Sequence, residues 1–284
     1  MQSNNPVFAR NDSFNGRSGT QSYASPGTGY SDPSTWSTGT PGQGTQTGYG
    51  APTGYDEGRM SIDSVVQKSA MTLGVLVLAA AATWIYLGDV SEENIGLFGG
   101  LAMGGALIGF VLAMVNSFQR VISPALVLAY AAAEGVFVGA FSSLLEQQPQ
   151  LDGIVVQAVG GTLMAFAGTL AAYKYFNIKV SDKFRRGVMA AVIGMVGVML
   201  LNLVTNLLGF DFLNLSSGLM GLLFSGLGVV LGVFMLILDF DFVERGIAAG
   251  LPERESWRAA FGLTVTLIWL YVMLLRLLAI LRGD

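Results

Sequence analysis

The amino-acid sequence predicts an all-α polytopic membrane protein, seven transmembrane helices behind a disordered tail, on three observations. Of its 284 residues, 52% are hydrophobic and only 12% charged, with a mean hydropathy of +0.57, against about 25% charged in an ordinary soluble domain. From residue 65 onward the chain is a train of seven apolar stretches, each near the ~20 residues that a helix needs to cross a ~30 Å hydrocarbon core. These stretches are too long and too rich in Ala, Leu and Gly for a lipid-facing barrel, whose strands alternate over about 10 residues.

Residues 1–58 are rich in Gly, Ser, Thr, Gln, Pro and Tyr and almost devoid of aliphatic side chains, so they cannot bury enough apolar area to offset their ordering entropy. They are expected to form a disordered cytoplasmic tail. Thr28-Gly29-Tyr30, Thr47-Gly48-Tyr49 and Thr53-Gly54-Tyr55 repeat one tripeptide within it, a pattern of flexible linkers or of weak multivalent contacts, with the linker the simpler reading. No apolar run precedes residue 70, so no cleavable signal peptide is expected and the tail should stay on the mature protein.

The remainder, residues 59–284, reads as the membrane domain, with spans at 65–87, 97–115, 124–145, 153–175, 187–208, 217–238 and 259–281. Ser61 or Asp63 can cap the first span, and Ser123 followed by Pro124 opens the third. Gly100-xxx-Gly104, Gly105-xxx-Gly109 and Gly228-xxx-Gly232 are small-residue seams that let helices approach closely where lipid offers no hydrophobic drive.

Lysine and arginine orient the chain. Thirteen of the 15 fall in the tail, at the start of the first span, or in the second, fourth and sixth connections. The first, third and fifth connections carry Asp89, Glu92, Glu93, Glu146, Asp152 and Asp211 and no basic residue. The positive-inside rule therefore puts the N-terminus in the cytoplasm. Arg276 and Arg282 lie in or after the last stretch, whose end is outside if it spans and inside if it is re-entrant.

Cysteine and histidine are both absent, which removes disulfides, thiolate and Ser-His-Asp catalysis, zinc fingers and histidine pH sensing. The net charge of −4 argues against nucleic acid, which needs clustered basic residues. What remains is oxygen chemistry at a few expensive charges, since an ionisable group at the bilayer centre costs ~2.5–3.5 kcal/mol or more. Glu134 lies 11 residues into the third span, about 16 Å from its start; it is either a helix-packing carboxyl facing a neighbour's hydroxyl or part of an ion path. Asp239 and Asp241 close the sixth stretch and point about 200° apart on a helix, so they cannot share a proton unless the backbone breaks. Arg276 interrupts an apolar last helix and either snorkels or serves as counter-ion to Asp239 or Glu134. Thr264 and Thr266 precede it; threonines in membrane helices usually bond back to their own carbonyls.

These residues resemble the Bax inhibitor/YccA-like (transmembrane Bax inhibitor motif) family, in a bacterial branch with a long N-terminal tail, over roughly residues 60–284. The resemblance rests on Ser-Pro at 123–124 leading to Ala-Glu-Gly at 133–135, Lys-Phe-Arg-Arg-Gly at 183–187, Leu-Asp-Phe-Asp-Phe at 238–242 and Leu-Leu-Arg-Leu-Leu-Ala-Ile-Leu at 274–281. It implies six helices around a central C-terminal seventh, and a pH-sensitive calcium leak. In the family an aspartate ending the sixth helix pairs with one in the seventh, ten residues before the arginine, and an arginine near the turn between helices two and three latches the pair. Asp239 matches the first aspartate and Arg120 loosely matches the latch, whereas the second aspartate's position holds Thr266.

The expectation is therefore a protein of the bacterial cytoplasmic membrane that leaks Ca²⁺ or another cation, with Asp239, Asp241 and Glu134 forming a polar cytoplasmic vestibule in which Asp239 and Asp241 could hold the ion in transit. The alternative is a non-conducting regulator of a membrane protease or stress response, acting on a membrane-protein partner through its tail and loops. Neither reading needs a cofactor, and no enzyme is expected: a presenilin-like protease site needs two aspartates on different helices, and Thr266 holds the place of the second.

Overall fold

The computed structural model describes residues 58–89, 91, 93–176, 178–209, 215 and 217–283. The expected tail up to residue 57, Glu92 and Asp211 lie outside them. Seven helices follow one another: α1 (Ile62–Leu87), α2 (Ile95–Phe118), α3 (Pro124–Glu146), α4 (Ile154–Tyr175), α5 (Asp182–Leu207), α6 (Gly218–Ala248) and α7 (Glu255–Gly283). All are long and apolar enough to cross a membrane. Ser61, not Asp63, caps α1: its side chain accepts from the Ser64 backbone N–H in a reciprocal capping box. Ser123 sits at the N-cap of α3 without a side-chain bond, and Pro124 supplies the first-turn geometry.

Three helices outrun their apolar stretches at one end. α5 begins at Asp182, α6 continues to Ala248 and α7 begins at Glu255. Each extension is charged and lies where the connections are basic, so the helices continue past the apolar layer on paired charges. This is called the basic end below, and the opposite one the acidic end.

α7 is the central helix, as the family resemblance implies. It packs against α1, α3, α4 and α6, and half of its most apolar window is buried, against 11% for α5, which packs chiefly on α6. α2 lies outside, against α3. The last helix runs the length of the bundle, and its C-terminal turns meet the acidic-end connections: Arg282 Nη1 donates to the Asp152 carbonyl at 2.7 Å and Arg276 Nη2 to the Leu215 carbonyl at 2.9 Å. Outward faces carry exposed large apolar side chains such as Leu78, Ile108, Leu163, Ile193 and Leu223, a surface that lipid accommodates and water does not.

The glycine seams divide. A Cβ on Gly105 would lie 2.7 Å from the Phe137 backbone nitrogen on α3, and one on Gly228 2.7 Å from Met273 Cγ on α7, so these are true contact seams. Gly100 and Gly104 would meet nothing within 4 Å and face away from the bundle. Gly105→Ala should accordingly lower stability by roughly 1–3 kcal/mol through overpacking, while Gly104→Ala should be neutral or slightly stabilising. Unfolding of the two variants in detergent checks this, and equal behaviour would contradict the α2–α3 seam.

Candidate functional site

The α6–α7 interface begins at the acidic end as small residues against large ones. Leu270 fills the space over Gly232, Met273 that over Gly228, and Trp269 Nε1 donates to the Gly228 carbonyl at 2.9 Å. Toward the basic end the same interface reaches Asp239. Its Oδ2 accepts from Thr266 Oγ1 at 2.6 Å. Gly262, one turn before Thr266 on the same face of α7, leaves room for the other oxygen: a Cβ there would lie 3.3 Å from Asp239 Oδ1. Thr266 is 1% exposed, and among the described residues no lysine or arginine pairs with Asp239. An acid thus sits at the junction of two membrane helices with a single hydroxyl as its partner. Thr264, by contrast, bonds back to the Ala260 carbonyl at 2.8 Å.

Asp241 occupies the other side of α6. Its Oδ2 accepts from Arg185 Nη2 at 2.6 Å and its Oδ1 from Arg245 Nε at 2.9 Å, and Arg245 Nη2 continues to the Val180 carbonyl at 2.9 Å. Beside it, Tyr173 donates to Glu244 Oε2 at 2.6 Å. Asp241 therefore fastens α5 and the α4–α5 connection to α6. It does not share a vestibule with Asp239; the two-residue spacing sends the two carboxylates to different neighbours. Among the described residues no group of three or more acids gathers to hold a metal ion.

Glu134 is 9% exposed and faces α2, where a Cβ on Gly109 would lie 2.8 Å from its Cδ. The glycine makes the space. Arg276 is a counter-ion to neither acid. It lies ten residues beyond Thr266, about 15 Å along α7, where it bonds the Leu215 carbonyl and stands 5.9 Å from the centre of the Phe224 ring.

Arg120 has an exposed side chain that is not brought to Asp239. The arginine that works at the α2–α3 turn is Arg258 of α7, which donates to the carbonyls of Gln119 at 3.4 Å and Arg120 at 3.1 Å and pairs with Glu255 at 2.7 Å. In the sequence Arg258 reads as one of the basic charges of the sixth connection, and its place eight residues before Thr266 on the central helix is the signal that marks it out. Lys68, the basic residue at the start of the first span, likewise bears in the sequence on orientation alone. It is buried and pairs with Glu253 Oε1 at 2.8 Å, beside a Ser64–Ser256 hydroxyl bond at 2.7 Å, which docks α1 on the α6–α7 turn.

Residues 5–283 match the family model described as Bax inhibitor 1 like, in agreement with the resemblance carried by the sequence motifs. No curated protein matches the chain.

The two aspartates should separate on substitution. Asp241→Asn leaves two half-exposed arginines without their carboxylate and should cost about 2 kcal/mol. Asp239→Asn keeps a hydrogen-bonding partner for Thr266 and should cost under about 1 kcal/mol. Unfolding in detergent measures both, and equal losses would contradict their division of roles.

Proposed function

The chain belongs to the Bax inhibitor 1 like family, and from that premise we propose that it is a pH-sensitive cation leak of the bacterial cytoplasmic membrane, with its N-terminus in the cytoplasm and Ca²⁺ as the transported ion. The observation that carries this reading is the Asp239–Thr266 bond. It closes the α6–α7 interface at the basic end, and parting the two helices frees a carboxylate with no competing cation.

Ca²⁺ takes 6–8 oxygen ligands, of which Asp239 supplies at most two, so water and carbonyl oxygens complete the shell. That is weak, single-carboxylate binding, which suits conduction: an ion must be attracted enough to enter and held loosely enough to leave. Glu134, which faces α2, is a second acid of the bundle that lies off this interface. Asp241 stays engaged by Arg185 and Arg245 and keeps the helices in register around the path.

Thr266 changes how protons act. Two facing carboxyls share one proton and repel when it is lost, whereas a hydroxyl both donates and accepts and keeps its bond to Asp239 in either protonation state. Protonation here therefore acts by removing the charge that draws the cation. Ca²⁺ leak from liposomes should fall as pH is lowered through the titration of Asp239, and Asp239→Asn should show a low, pH-independent leak. Equal leak in Asp239→Asn and the parent at every pH would remove Asp239 from the mechanism. Thr266→Asp should install the repelling pair, giving a steeper increase of leak with rising pH.

A regulatory reading draws on a different observation. Residues 58–60 run along the α6–α7 turn: the Met60 N–H donates to the Leu251 carbonyl at 2.8 Å, the Glu253 N–H to the Gly58 carbonyl at 2.6 Å, and Arg59 bridges to Pro252. A partner acting on the tail would pull directly on the turn between the two gating helices. If deleting residues 1–57 abolishes complementation of a strain lacking the protein while flux of the purified variant is unchanged, the regulatory reading is favoured over conduction.

A further inference from the structure

At the end of the bundle opposite Asp239, a cavity of about 640 Å³ lies between α3, α5 and α7. Arg276 and the amides of Asn202 and Asn206 line one part of it, and Phe141, Leu203 and Val272 belong to its apolar wall. Two features of that wall are unfinished. Arg276 uses one N–H on the Leu215 carbonyl and lays its guanidinium near the Phe224 ring, yet a guanidinium has five N–H donors, and among the described residues no acid lines the cavity. The Asn202 side-chain oxygen is buried without a hydrogen-bond partner, so this amide is unsatisfied as it stands and can turn to offer either of its ends.

We propose that this cavity binds the oxyanion of an acidic phospholipid from the leaflet at the acidic end, with Arg276 pairing the phosphate, Asn202 bonding the headgroup and an acyl chain along the apolar wall. A lipid is favoured over a free anion on two grounds. α5 packs on α6 rather than on α3, so the gap between α3 and α5 faces the hydrocarbon layer, and the apolar wall would gain nothing from a small hydrated ion. Arginine suits phosphate oxygens through its planar donor fork. A zwitterionic lipid carries its own cation and competes poorly. The proposal is independent of conduction, because it uses no residue of the Asp239–Thr266 interface.

The test is lipid binding to the full chain in detergent, read by native mass spectrometry and by thermal unfolding. Phosphatidylglycerol should bind about tenfold more tightly than phosphatidylcholine and raise the unfolding temperature. Arg276→Gln should lose that preference, and Arg282→Gln, which alters an arginine outside the cavity, should keep it. Should Arg276→Gln fail to fold, Asn202→Asp supplies a competing carboxylate and should reduce phosphatidylglycerol binding by a similar factor. Retained preference in Arg276→Gln or in Asn202→Asp overturns the site. Inorganic phosphate that stabilises the parent as well as phosphatidylglycerol overturns the lipid assignment. Tighter lipid binding in Asp211→Asn, the acid nearest Leu215 in sequence, overturns it in favour of an internal counter-ion.

Discussion

A charge carried into a hydrocarbon layer finds no partner there, so each one must be answered from within the chain. That constraint organises the bundle. Lys68 would be costly in α1, and its bond to Glu253 ties α1 to the turn between the last two helices. Asp241 would be costly near the end of α6; of the two arginines that answer it, Arg185 holds α5, a helix with little other purchase on the molecule, and Arg245 holds the α4–α5 connection. Glu146, at the end of α3, accepts from the Gly153 and Val155 backbone N–H groups and so begins α4 with an anion where the helix dipole favours one. Charge pairs thus do between helices what a hydrophobic core does in water, where lipid cannot.

α7 concentrates these bonds. Along one helix it presents Arg258 to the α2–α3 turn, Thr266 to Asp239, Trp269 to the Gly228 carbonyl, Tyr271 to Ser142 at 2.6 Å and Arg276 to the Leu215 carbonyl. Most of these partners are held by two or more contacts or by backbone oxygen. Among these bonds of α7, Asp239 is the carboxylate, and it is answered by one side-chain hydroxyl. This asymmetry, more than the presence of an acid, singles it out.

The span pattern and the sorting of charge between alternate connections were legible in the sequence because both are local: an apolar run and the sign of a loop need no knowledge of neighbours. The ends of α5, α6 and α7 were not, because hydropathy falls at Asp182, Asp239 and Glu255 while the backbone continues, and the partners that permit this lie far away in sequence. Asp241 and Arg185 are 56 residues apart, Arg258 and Gln119 139. The seam at Gly105 and Gly109 could not be told from that at Gly100 and Gly104 without knowing which face of α2 meets α3. Asp239, Thr266 and the divergence of Asp239 from Asp241 could be named from motif and helical phase, yet the opposing Gly262 and the replacement of Arg120 by Arg258 required the packed structure.

The central claim is that Asp239 and Thr266 act as one closing contact, and a double-mutant cycle on Ca²⁺ flux through liposomes at neutral pH measures it directly. With Asp239→Asn, Thr266→Val and the pair combined, the account predicts strong non-additivity: Thr266→Val alone leaks more than the parent, while the double variant leaks as little as Asp239→Asn, because without the charge the lost hydroxyl has nothing to release, with a coupling above about 0.5 kcal/mol. Effects that simply multiply would mean that the two side chains act apart, and would contradict the account.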